Sequence, residues 1–140
     1  MTQKPEELGQ LIQNILKRSK TVAVVGLSNK PQKASNDVAA YLKKHGYHII
    51  PVNPNYSEIL GEKCYPNLKE IPVSIDVVDI FRKSQDVPAV VEEAIEVGAK
   101  TIWMQSGIRH EEAAKRARSA GIEVVMDTCM KVEHMIHSVT

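Results

Sequence analysis

The 140-residue chain is 43% apolar and 25% charged, and its 18 Lys and Arg nearly balance 17 Asp and Glu, a composition that fits one globular domain with a sizeable core. The lack of a basic excess and the 4% aromatic content argue against a nucleic-acid partner. No apolar run reaches transmembrane length, the N-terminus lacks signal-peptide segments, and Cys64 and Cys129 form no C-x-x-C pair, so a cytoplasmic protein with reduced thiols and no membrane partner is expected.

Pro5-Glu6-Glu7 opens an N-terminal helix, assigned to residues 1–18, with acids at the positive end of its dipole and Lys17 and Arg18 at the other. Leu8, Leu11, Ile12, Ile15 and Leu16 recur along one face. The core, residues 19–134, then alternates strands and helices. A first strand, Thr21–Leu27, leads through a polar loop into a helix over Ala34–His45, which Gly46 ends. The second strand is His48–Val52, and the segment Ile59–Pro66 is turn-rich. The third strand is Asp76–Phe81, followed by a helix over Val87–Val97 that stops at Gly98. A fourth strand, Thr101–Gln105, precedes a helix over Glu111–Ala120, and a fifth, Glu123–Met126, precedes a C-terminal helix over 129–137.

Five short apolar strands separated by helices predict an α/β fold with a single doubly wound domain. Right-handed crossovers favour a five-stranded parallel sheet of order 3-2-1-4-5, with a ligand beyond the carboxyl ends near the switch point between strands 1 and 4. A strand, a glycine turn and a helix N-terminus at Val25-Gly26-Leu27 onward form an anion site from backbone N–H groups. A dinucleotide enzyme would carry G-x-G-x-x-G there and an acid after the second strand. Only Gly26 is present, and Asn53-Pro54 stands in place of the acid. The P-loop pattern is missing too, since no second glycine precedes Lys33. What remains at the edge is Lys33 beside the first helix and Arg82 and Lys83 after the third strand, all able to hold phosphate. Phe81 and Pro54 offer flat apolar surface, and Gly107 allows close backbone approach. A multiply phosphorylated adenine nucleotide meets these demands together.

Val24-Val25-Gly26-Leu27-Ser28, Val52-Asn53-Pro54 and Val78-Asp79-Ile80-Phe81-Arg82 resemble the small stand-alone coenzyme A-binding proteins, Rossmann-like domains similar to the CoA-binding domain of the succinyl-CoA synthetase alpha subunit. The segments Ile102-Trp103-Met104-Gln105-Ser106-Gly107 and Val125-Met126-Asp127-Thr128-Cys129 match in order and spacing. The resemblance implies CoA or an acyl-CoA as ligand. Gly26, Leu27, Ser28 and Lys33 would hold phosphates, and Asn53 and Pro54 would border the adenosine. Phe81 and Arg82 would meet its 3′-phosphate end, and Gln105 and Gly107 the pantetheine arm. Two positions depart from the pattern. Lys83 stands where a second arginine is common, keeping the charge without the fork, and Ser106 replaces a frequent acid. The synthetase's phosphorylated histidine and ATP-grasp parts have no place in 140 residues, so ligase activity is not carried over.

The expected function is therefore non-catalytic binding of CoA or an acyl-CoA, as carrier, sensor or partner subunit, by a monomer or homodimer. The alternative is an acyl-CoA- or nucleotide-dependent transferase or oxidoreductase, for which Cys129 and the C-terminal histidines are the candidate groups. His134 and His137 read as a solvated helix face rather than metal ligands, and His45, His48 and His110 as exposed polar residues. Cys129 reads as a buried small residue, at a helix start where a mixed disulfide with the CoA thiol is chemically open.

Overall fold

The alternating pattern folds as anticipated in the computed structural model, which describes residues 5–137. The first four residues of the expected 1–18 segment thus lie outside the described residues. Helix α1 spans Pro5–Arg18, β1 Thr21–Val25, α2 Ala34–Lys44 and β2 His48–Val52. A small hairpin follows, β3 (Glu58–Ile59) and β4 (Glu62–Lys63), and then β5 (Val77–Ile80), α3 (Val87–Val97), β6 (Thr101–Met104), α4 (Glu111–Ser119), β7 (Glu123–Val125) and α5 (Met130–His137).

Because side chains alternate along a strand, each strand feeds two apolar layers. Val22, Val24, Val77 and Trp103 pack beneath α1, α2 and α5, against Ile15, Leu42 and Met130. Ala23, Val78, Ile80 and Ile102 pack beneath α3 and α4, against Val91, Ala94 and Ala114. β5 and β6 are buried at every position, as parallel strands covered on both faces must be.

The five-stranded sheet has the order β2-β1-β5-β6-β7, all parallel. Beyond β2 lies one further rung, a parallel bridge between Val52 and Tyr65, made by Tyr65 N–H to the Pro51 carbonyl at 3.0 Å and Asn53 N–H to the Tyr65 carbonyl at 2.9 Å. Counting that rung as a rudimentary third strand makes six strands in the order 3-2-1-4-5-6, which contains the 3-2-1-4-5 frame. The strand Val77–Ile80 then takes the fourth place, so the switch point lies between β1 and β5 rather than beside Thr101–Met104. Pro51 suits its position. Alternate residues of β2 bond inward, as His48 N–H does to the Lys20 carbonyl, so the nitrogen of Pro51 faces away from β1, where a missing donor is tolerated.

Several expected strands are shorter than the apolar runs suggest. β1 ends at Val25 because Gly26, at φ +87°, turns the chain out of the sheet. Asp76 lies before β5 and fastens the amino edge, accepting N–H bonds from Lys20 at 2.8 Å and Thr21 at 3.0 Å, with Lys100 at 3.2 Å. Partial burial pushes its carboxyl up, but those donors win and hold it below its ordinary value. The turn-rich segment contains the hairpin, whose turn places Leu60 at φ 55° and Gly61 at φ 74°.

His134, expected on a solvated face, is buried. Its Nδ1 pairs with the Tyr41 hydroxyl at 2.9 Å, and His45 stacks on Tyr41 with ring centroids 4.0 Å apart. His110 likewise departs from the expected exposed role, because its Nδ1 accepts the Ala113 N–H at 3.0 Å and caps α4. Beside the His134 pair, Lys131 meets Asp37 at 2.9 Å, so α5 is clamped to α2 at two points. Burial and the nearby His45 hold the His134 imidazole below its ordinary value. The unfolded chain therefore binds the proton more tightly, and the clamp's contribution, complete above the unfolded value of about 6.5, is lost as pH falls through the folded one. Thermal melts at about pH 7.5 and 5.5 will show a larger fall in Tm for the natural chain than for His134→Gln. Equal falls in both would remove His134 as the titrating group.

Candidate ligand-binding site

The loop after β1 is stitched from within. The Ser28 N–H donates to Ser35 Oγ at 3.0 Å, the Asn36 side-chain amide donates to the Ser28 carbonyl at 2.8 Å, and that of Asn53 to the Leu27 carbonyl at 3.0 Å. Ser35 and Asn36 are buried in doing so. Their own backbone N–H groups, with that of Ala34, form the first turn of α2. Among the described residues these three donors have no protein acceptor, and Lys33 at the N-cap supplies no side-chain cap. An uncapped helix start with fixed, unpaired donors is suited to an anion. Lys33 is exposed beside it and, like Lys83, has no carboxylate within ion-pair reach among the described residues.

At the switch point the two chains diverge from adjacent strands. A Cβ placed on Gly26 would lie 2.3 Å from the Phe81 carbonyl oxygen and 3.0 Å from Arg82 Cδ, so this glycine is required both by its positive φ and by lack of space. Two cavities open on either side of this contact. One, of about 310 Å³ on the α3 side, is lined by Val25, Val52, Pro54, Arg82, Asp86 and Val90, among others. Arg82 reaches Asp86 at 3.6 Å there. The other, of about 370 Å³ on the α2–α5 side, is lined by Ala34, Asp37, Phe81, Gln105, Cys129 and Lys131, among others.

The expected site residues thus divide. Pro54 and Arg82 line one cavity, and Phe81 and Gln105 the other. Leu27 is sealed in the core, so only its backbone faces the edge. Asn53 spends its amide on the first loop and its Oδ1 on the Asn55 N–H at 2.9 Å. Gly107 has open space where a Cβ would stand, so its φ of +83° and its N–H bond to Asp127 Oδ1 at 2.6 Å account for it. Lys83 is exposed at the start of a short 3-10 turn, Ser84–Asp86. Cys129 is half-buried and lines a cavity instead of filling the core.

Sequence reasoning missed Asp79. Its side chain is fully buried, with Oδ1 accepting from Gln105 Nε2 at 2.6 Å and Oδ2 without a partner among the described residues. Burial pushes its carboxyl up to about 7, against the lowering effect of the Gln105 bond. The signal was available, since a carboxylate inside a strand covered on both faces has nowhere exposed to go.

The sheet order, the glycine turn and the open carboxyl edge define a doubly wound, Rossmann-like α/β domain. Within that class the chain belongs to the CoA binding domain family, whose model matches residues 20–135. It is 46% identical over 125 residues to the uncharacterized protein YneT of Bacillus subtilis, covering 89% of this chain and 93% of that protein. It is 31% identical over 121 residues to acetate–CoA ligase [ADP-forming] I of Archaeoglobus fulgidus, covering 79% of this chain but 18% of the ligase. A solved structure of a hypothetical protein from Pyrococcus horikoshii OT3 superposes with a TM-score of 0.92 at 43% identity, over 99% of this chain and 98% of the other.

Gly26→Ala combines a side chain at positive φ with overlap on a backbone carbonyl, and will cost about 3 kcal/mol or more. Urea denaturation measures this directly, and an unchanged or raised stability, as for a glycine substitution at a compatible position, would show that the contact relaxes freely.

Proposed function

We propose that this protein binds coenzyme A or an acyl-CoA at the carboxyl edge of its sheet, without performing a reaction on it, and serves as a carrier, sensor or partner subunit. The observation that carries the reading is the uncapped start of α2, where the N–H groups of Ala34, Ser35 and Asn36 stand unpaired beside Lys33. That is where the diphosphate would lie, against Gly26 and Ser28. The adenosine end would lie toward Asn53 and Pro54, with Arg82 and Lys83 supplying charge for the 3′-phosphate. The pantetheine arm would pass Phe81 toward Gln105 and Gly107. The family supports the choice of ligand, and the two differently lined cavities, one beside Arg82 and the other beside Phe81, support a ligand with two dissimilar ends.

Titration calorimetry with CoA, dephospho-CoA and NAD tests the assignment. CoA will bind tightest and lose affinity without its 3′-phosphate. Arg82→Ala and Lys33→Ala will each weaken CoA by roughly 10- to 150-fold, the range for one charge-assisted contact. Equal affinity for all three ligands, or none, overturns the reading.

A further inference from the structure

Asp79 stands in the layer beneath α1, α2 and α5, between Val24 of β1 and Trp103 of β6. Among the described residues no cation approaches it. α1 presents Ile12, Ile15 and Leu16 to that layer. On α2, Asp37 is paired with Lys131 and Tyr41 with His134, both partners belonging to α5. Cys129, at the start of α5, faces the cavity, and the Trp103 indole N–H is spent on the Thr128 carbonyl at 2.8 Å. Among the described residues, the one group that satisfies Asp79 is the Gln105 amide, through Nε2.

That bond has a consequence at the other end of the amide. Gln105 is 3% exposed yet lines the cavity on the α2–α5 side. Its Nε2 is committed inward, and its carbonyl Oε1 has no partner among the described residues. An ionised carboxylate only accepts, so it holds the amide in this orientation, whereas a protonated carboxyl can donate to Oε1 and turn the Nε2 group outward.

We propose that Asp79 is a positioning residue for the ligand site: its buried carboxylate fixes the Gln105 amide with Oε1 turned toward the cavity, as the acceptor for an N–H of the ligand, and protonation of Asp79 reverses that polarity. The inference rests on the CoA reading above, which supplies the N–H as a secondary amide of the pantetheine arm. Burial brings the carboxyl to about 7, so both states are reached near neutral pH. Ligand binding and proton release at Asp79 are then linked, and each shifts the other by the same factor.

The test is CoA affinity at pH 8 and pH 6 for the natural chain and for Asp79→Asn, which keeps the shape and cannot ionise. Comparing the two proteins cancels the titration of the ligand's own phosphates. On acidification the natural chain will lose roughly three- to ten-fold more affinity than the variant. Adenosine 3′,5′-bisphosphate, which lacks the arm, will show no such difference. Carboxyl carbon-13 NMR gives an independent readout in the natural chain alone: saturation with CoA will lower the Asp79 pKa. Parallel pH dependences in the two proteins, or an Asp79 titration indifferent to CoA, overturn the inference and leave the CoA reading standing. A difference that persists with the bisphosphate overturns the assignment to the arm. Failure of the natural chain to bind CoA at either pH overturns both readings.

Discussion

The edge of this sheet depends on one close approach, that of the Gly26 backbone to the carbonyl of Phe81. β1 and β5 run side by side, but their chains leave in opposite directions, one toward α2 and the other toward α3. Where they part there is no room for a side chain. The first loop can therefore settle on the sheet, and Phe81 and Arg82 can emerge on opposite faces directly beside it. Arg82 lines the cavity on one face and Phe81 the cavity on the other. Shifting the contact would move the helix start, the aromatic ring and the guanidinium together.

Much of the fold was legible because its strands are apolar on both faces and its helices are punctuated. Gly46, Gly98 and Gly121 each mark a helix end that the structure places within a residue or two. What could not be read depended on packing at a distance. The hairpin turns at Leu60-Gly61, and leucine at positive φ carries no local turn signal. Its position is held from outside, by Lys43 reaching Glu62 at 3.1 Å and by Ile59 buried in the layer under α2. The outer rung at Tyr65 is a single bridge, too short to give a pattern.

The edge residues were legible as a set but not in their arrangement. Chain order identified Arg82, Lys83 and Gln105 at the carboxyl ends of buried strands and Lys33 at the start of the first helix, and the resemblance added the role for Gln105. Which side of the sheet each would take follows from strand parity, and that depends on where a strand stops. β5 ends at Ile80, so Phe81 and Arg82 go to opposite layers. The buried partners are the other half of the arrangement. Asp79 beneath Gln105, and Ser35 and Asn36 beneath the first loop, hold the visible residues in place through bonds that no spacing rule reports.

Pro51 bears on the molecule's life in a crowded solution. A parallel sheet has two outer margins, and an unguarded margin recruits strands from neighbouring chains. Here one margin is β7, only three residues long. The other is β2, where the proline ring removes a donor and the Tyr65 rung occupies the carbonyl beside it. A foreign strand would find neither a full ladder to join nor a flat surface to lie along. The same residue that looks like a blemish in the strand His48–Val52 helps close this margin to strand pairing.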